Sequence, residues 1–180
     1  GCTMVLKPSE LAPLDAAIFA DIVDKAGLPK GVFNLVHGEG PAIGNALTGH
    51  KDADMVSFTG STRAGIAISA NAANTIKRVA LELGGKSANI LLDDADFEKA
   101  VTNSVFTMMN NSGQSCNAPS RMMVPESRYE TVKAIAAAVA EKVSVGKPED
   151  DARIGPIANE NQYKRVVSLI DGAKAEGAEL

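Results

Sequence analysis

Cysteine is scarce in this chain of 180 residues, which carries two, Cys2 and Cys116. A secreted scaffold stapled by disulfides would not rest on so few, so a reducing compartment, the cytoplasm, is expected. No apolar run approaches the ~20 residues that a membrane-spanning helix needs, and no signal peptide precedes the first strand. A soluble protein with no membrane partner follows. Lys and Arg are nowhere gathered into a patch and the net charge is −4, which argues against nucleic acid as a partner. The two histidines, His37 and His50, fall in loops, where surface or capping roles suit them. There is no internal repeat and no low-complexity segment.

What is present is an ordinary globular composition, 45% hydrophobic and 22% charged, enough for a sizeable core in one or two domains. Leu14 to Ala26 has apolar residues at helical spacing and stops at Gly27. Cys2 to Leu6 before it, and Val32 to Val36 after it, read as strands, the first halted by Lys7-Pro8. Cys2 is then expected in the core. The alternation continues with a strand at Met55 to Phe58, a helix over 62–73 and a strand at Lys77 to Leu83. A strand at Ala88 to Leu92, a helix over 96–110, a strand at Arg121 to Val124 and helices over 128–143 and 159–176 complete it. Such βαβ alternation predicts an α/β protein of parallel sheets with flanking helices in three layers. Met122 and Met123 are expected in the core, and Gly146 to Pro156 reads as a charged loop without evident chemistry.

Chemistry concentrates between Glu82 and Cys116. Leu81-Glu82-Leu83-Gly84-Gly85-Lys86-Ser87 sets a carboxylate at the carboxyl end of a strand, where open α/β sheets bind ligands. Asn111-Ser112-Gly113-Gln114-Ser115-Cys116 puts a thiol in a small, polar loop. A cysteine thiolate attacks carbonyl carbon, and a carboxylate can then activate the water that releases the product. Glu82 is therefore a candidate general base and Cys116 a candidate nucleophile. Asp93, Asp94 and Asp96 could suggest a metal, but they precede a helix whose dipole favours negative charge, so capping is expected and no metal.

Two glycine-rich turns invite a dinucleotide. In Gly38-Glu39-Gly40-Pro41-Ala42-Ile43-Gly44 the last gap is one residue too long for Gly-x-Gly-x-x-Gly, and a tight turn would use the same glycines. Thr59-Gly60-Ser61-Thr62 turns a strand into a helix whose free N–H groups suit a pyrophosphate. The spacing of Gly60 and Gly65 approaches that of a P-loop, but Ile66 stands where that motif demands lysine. An ATPase is disfavoured.

Glu-Leu-Gly-Gly-Lys-Ser at 82–87 and Gly-Gln-Ser-Cys at 113–116, with Lys7-Pro8-Ser9-Glu10 and Phe58-Thr59-Gly60-Ser61-Thr62 before them, resemble the aldehyde dehydrogenase superfamily in the same order. The resemblance implies a Rossmann-like cofactor part over 1–84, a partial dinucleotide-binding domain, and a partial catalytic domain over 85–180. It implies oxidation of a small-molecule aldehyde to a carboxylic acid with hydride transfer to NAD, through a Cys116 thiohemiacetal and a thioester that Glu82 helps to hydrolyse. The Cys116 N–H would help to stabilise the oxyanion, a contribution of about 2.7–4 kcal/mol per donor. Lys7 and Glu10 would lie at the adenine ribose, with Ser9 between them in the cofactor-binding set, and a carboxylate there favours NAD, with NADP as the alternative. Gly40, Gly44, Phe58, Gly60, Ser61, Gly65, Leu83 and Gly84 complete the cofactor-binding set.

Family members are longer, so an internal segment is expected of an enzyme that is a homo-oligomer at full length. The family's second oxyanion donor, a later glutamate for the nicotinamide ribose and the oligomerisation segment have no counterpart here, and activity of the segment by itself is left open. Met109 stands where the family often has an aromatic residue along the aldehyde tunnel, and Ser115 occupies a variable position. Glu82 argues against transfer of the acyl group to coenzyme A. A non-catalytic dinucleotide-binding or interaction module is the rival reading.

Overall fold

The computed structural model describes residues 1–179. The chain divides into two compact units, Gly1–Leu83 and Gly84–Leu180, and both are α/β with parallel strand pairs.

In the first unit, β1 (Met4–Leu6) lies parallel to β2 (Phe33–Leu35), with α1 (Leu14–Lys25) as the crossover. Gly27 ends α1 by taking a left-handed φ of +75°, and its N–H bonds to the Asp24 carbonyl at 3.0 Å, the usual way a glycine closes a helix. Phe19 of α1 meets Phe33 edge-on at 5.5 Å between ring centroids. A π-helical turn at Gly40–Gly44 runs into the short α2 (Asn45–Gly49). β3 (Met55–Gly60) then pairs along its whole length with β4 (Arg78–Leu83), so that Thr59 stands opposite Glu82 and Gly60 opposite Leu83. Between them runs α3 (Thr62–Ala73), which buries Gly65, Ile68 and Ala72. Asn71 of α3 donates to the Thr48 hydroxyl at 2.9 Å and to the Asn45 carbonyl at 2.8 Å, fastening α2 to α3.

In the second unit, β5 (Ala88–Ile90) pairs in parallel with β6 (Arg121–Met123). The core is helical: α4 (Phe97–Met109) and α5 (Tyr129–Ala140) pack Val101, Val105, Val132 and Val139 together with Leu91. Asp96 caps α4 by accepting from the Lys99 N–H at 3.2 Å, which accounts for one of the three acids in that turn. α6 (Glu160–Ala175) starts at the Asn159 cap and buries none of its residues.

Two expectations about the core are corrected. Cys2 is exposed, and Met123 is 43% exposed while Met122 packs against the core cluster. Cys2 precedes the first paired residue of β1, so no ladder holds it against a layer. β6 pairs with β5 alone among the described residues, and a two-stranded ribbon with helices on one side shelters one side-chain face only. Met122 has that face, and Met123 points the other way.

Candidate active site

The Cys116 loop begins where α4 ends. Asn111 and Ser112 are both left-handed, with φ 53° and 57°, and Gly113 follows at φ +72°. Three successive left-handed residues are unusual, since each L-residue there costs ~1–2 kcal/mol. Asn and Gly are the cheapest occupants, but Ser112 has to be held. Its hydroxyl donates to the Gly155 carbonyl at 2.6 Å. The Gln114 carboxamide uses both ends: Nε2 donates to the Asn111 carbonyl at 3.0 Å, and Oε1 accepts from the Ala158 N–H at 2.8 Å. Asn111 Nδ2 closes the turn on the Gln114 carbonyl at 3.2 Å.

Cys116 follows on the second residue of a turn closed by the Ala118 N–H on the Ser115 carbonyl at 3.1 Å. Ala118 is buried and anchors the far side, which leaves the Cys116 thiol exposed at the apex. A turn's closing bond does not use the N–H of its second residue, so that donor stays available. The stretch leading into β5 runs alongside: a Cβ on Gly85 would stand 3.9 Å from the Cys116 carbonyl oxygen. Arg121 ties the same stretch down through its Nε on the Lys86 carbonyl at 2.7 Å. Met109 is packed against the core cluster.

In the first unit, Lys7 gathers the start of the chain and the glycine turn. Its ammonium donates to the Gly38 carbonyl at 3.0 Å, reaches the Glu10 carboxylate at 3.3 Å and also bonds the Pro8 carbonyl. A bond from its own backbone N–H, then the Lys7 ammonium, and further the Gly40 N–H, hold the Glu10 carboxyl below its ordinary range. Ser9 is a local turn residue, its hydroxyl accepting from the Leu11 N–H at 3.2 Å. Gly38 is left-handed at φ +152° and Ile43 crowds the place of a side chain there. Gly40, Gly44 and Gly84 differ: none has a positive φ, and a Cβ on any of them would meet no atom within 4 Å.

At the carboxyl ends of β3 and β4 the packing brings Phe58, Gly60, Gly65 and Leu83 together. The Phe58 ring occupies the space a Gly60 side chain would need, and a Cβ on Gly65 would stand 2.9 and 3.1 Å from the two Leu83 methyls. Ser61 caps α3, its hydroxyl accepting from the Ala64 N–H at 3.2 Å while its own proton remains free to donate. Glu82 is exposed on β4.

Sequence reasoning passed over Ser112, Gln114 and the segment 153–158. The Asn-Ser-Gly triplet was the available signal, because those residue types tolerate left-handed backbone. Nothing in the sequence of 153–158 marks it as their partner.

The model of the aldehyde dehydrogenase family matches residues 1–180. A 3-succinoylsemialdehyde-pyridine dehydrogenase from Pseudomonas sp. is 58% identical over 181 residues, covering 100% of this chain and 38% of that protein. A Cys→Ala mutant of a Pseudomonas syringae aldehyde dehydrogenase, solved with NAD+ and octanal, has a TM-score of 0.94 at 54% identity, over 99% of this chain and 37% of that one. Betaine aldehyde dehydrogenase from Staphylococcus aureus, solved with NAD+, has a TM-score of 0.94 at 39% identity, over 100% of this chain and 36% of that one. The chain thus spans about 38% of the length of the curated relatives it matches.

Proposed function

The chain belongs to the aldehyde dehydrogenase family, which it matches along residues 1–180, and from that premise we propose that a full-length enzyme carrying it oxidises an aldehyde to a carboxylic acid with NAD. The carrying observation is Cys116: an exposed thiol on a turn whose flanks are tied down on both sides. The three relatives described above are named for, or were solved with, a pyridine semialdehyde, octanal and betaine aldehyde. The aldehyde carbon is what those molecules share, and the proposal extends to that carbon alone.

The residues fit the cofactor. Lys7 and Glu10 present an ammonium and a carboxylate beside the Gly38–Gly40 backbone, a donor and acceptor set suited to ribose hydroxyls. Neither φ nor packing demands glycine at 40 or 44, which leaves room for a ligand to approach the backbone. The N-terminus of α3, with the Ser61 hydroxyl, suits the pyrophosphate. Gly65 and Gly60 contribute by admitting Leu83 and Phe58. NAD, when bound, supplies the two-electron acceptor that the oxidation requires.

The chain's own residues do the rest. Cys116 Sγ bonds to the aldehyde carbon, and the charge that develops on oxygen is met by the Cys116 N–H. Loss of the carbon's hydrogen with its electron pair, and of the hydroxyl proton, turns this thiohemiacetal into a thioester. Glu82 takes a proton from water, whose oxygen attacks the thioester carbon; the C–S bond breaks, the acid leaves and the thiolate is restored. The pairing of Glu82 with Cys116 rests on the two motifs that carry them, Glu-Leu-Gly-Gly-Lys-Ser and Gly-Gln-Ser-Cys, within the family match. Cys2 and Cys116 as free thiols accord with the cytoplasm. The exposed apolar stripe Leu14, Ile18 and Ile22 on α1 supports assembly into a homo-oligomer.

The test is NADH formation by the full-length enzyme with a panel of aldehydes. Cys116→Ala should abolish it, and Glu82→Gln should accumulate a thioester visible as an acyl mass adduct on the peptide containing Cys116. NADH production by Cys116→Ala at the wild-type rate would end the nucleophile assignment, and with it the reading as a catalytic segment.

A further inference from the structure

The loop over 144–158 bears charges and no recognisable motif, yet it runs beside the end of α4 and the loop that follows, touching both in order. Arg153 lies over the Phe106 ring of α4, 4.6 Å from its centroid. The Ser112 hydroxyl donates to the Gly155 carbonyl at 2.6 Å, and Gln114 Oε1 accepts from the Ala158 N–H at 2.8 Å. The loop is itself braced. Ser144 and Ile154 are joined by a backbone bond of 3.1 Å, Val145 bridges Ile154, and the Arg153 N–H donates to the Ser144 hydroxyl at 2.9 Å. The left-handed run from Asn111 to Gly113 therefore leans on a second, independently fastened piece of backbone.

From this arrangement we infer that Gln114 is a positioning residue for Cys116, acting through the 153–158 segment as a splint; the inference rests on the assignment of Cys116 as nucleophile. Donor and acceptor are matched at both ends of the Gln114 carboxamide. Gln114 needs one donor, for the Asn111 carbonyl, and one acceptor, for the Ala158 N–H, and a carboxamide supplies one of each. Without this clamp the left-handed run keeps the Ser112 bond to Gly155 and the Asn111–Gln114 backbone bonds but loses its tie to the Ala158 N–H, and the backbone leading to Cys116 gains access to the commoner right-handed or extended regions. The sulfur would then sample positions away from the aldehyde carbon, and attack is sensitive to misplacement of that size. Gln114 touches neither substrate nor cofactor in this account.

A near-isosteric variant tests the matching. In Gln114→Glu the ionised carboxylate sets an acceptor against the Asn111 carbonyl. Its protonated form restores an O–H donor there. The measurement is the pre-steady-state rate of NADH formation by the full-length enzyme, recorded for wild type and Gln114→Glu across pH, with KM for NAD and thermal stability alongside. The variant is expected to be slower by about tenfold at neutral pH with KM for NAD unchanged, and its rate relative to wild type should climb as pH falls and the carboxyl takes up a proton. Gln114→Met, which cannot titrate, should be slow at every pH. A Gln114→Glu rate equal to wild type at neutral pH, or a deficit that stays the same at every pH, overturns the inference. Its failure is separate from that of the reading beneath it: cysteine-independent turnover in Cys116→Ala would remove the nucleophile assignment, whereas cysteine-dependent turnover indifferent to Gln114 would remove the splint alone.

Discussion

Replacing Gly65 with alanine sets two known effects against each other, so the sign of the result is informative. Gly65 lies inside α3, where alanine is favoured over glycine by about 1 kcal/mol. It is also buried against β4, and the added methyl would stand 2.9 Å from Leu83 Cδ2, 3.1 Å from Cδ1 and 3.5 Å from Leu81 Cδ1. Both close atoms belong to one isopropyl group. Rotating it about χ2 exchanges one methyl for the other, so relief needs a new χ1 or a retreat of helix from strand. Overpacking of this kind costs about 1–3 kcal/mol, which leaves a net destabilisation of about 1 kcal/mol after the propensity gain. The assay is hydrogen exchange of the amides over 62–73 in the full-length enzyme, since it reads that region alone. A net cost of about 1 kcal/mol speeds their exchange about fivefold, and in a Leu83→Ala background the sign should reverse to slower exchange, because the conflicting methyls are gone and the helix-propensity gain remains. Slower exchange in Gly65→Ala would refute the reasoning: Leu83 would have stepped aside, and the glycine would be needed for something other than packing.

Cys2 and Cys116 are both exposed in this chain, and in the native full-length enzyme a catalytic thiol should alkylate faster with iodoacetamide than an ordinary one because more of it is thiolate. Cys116 is expected to react at least tenfold faster, measured by mass spectrometry of the two peptides, and equal rates would favour a non-catalytic module. The Glu10 carboxyl is held below the ordinary 4.5 by its own backbone N–H and by Lys7. Its contribution is therefore complete above that pH and is lost as pH falls through the depressed value. Wild type should exceed Glu10→Gln in thermal stability at neutral pH, and the gap should close on acidification; a gap that widens toward low pH would contradict the Lys7–Glu10 contact.

How much of this was open to reading residue by residue differs between parts of the chain. Where local chemistry decides, the sequence sufficed. The helix over 62–73 follows from a glycine and hydroxyl turn feeding an apolar period, with Ser61 as its cap. The end of α1 follows from Gly27, because only glycine takes that φ without penalty. The family was likewise legible from four short motifs in order, since the reaction that the resemblance implies constrains neighbouring residues to be near one another in the chain.

Contacts between distant segments were decided by the tertiary structure. Gly65 stood out for its spacing from Gly60, whereas its close packing against the Leu83 methyls, set by the β3–β4 register, could not be read from the chain. Cys2 and Met123 looked like core residues because they lie in apolar stretches, and burial depends instead on which layer covers a strand. The charged loop before α6 carried no pattern at all. It touches Phe106, Ser112 and Gln114 through a ring face and two backbone groups, and backbone groups are the same at every position. The sequence by itself determined the elements and named the thiol and the carboxylate. The fold decided what holds that thiol in place, because the splint uses atoms that no side-chain pattern encodes.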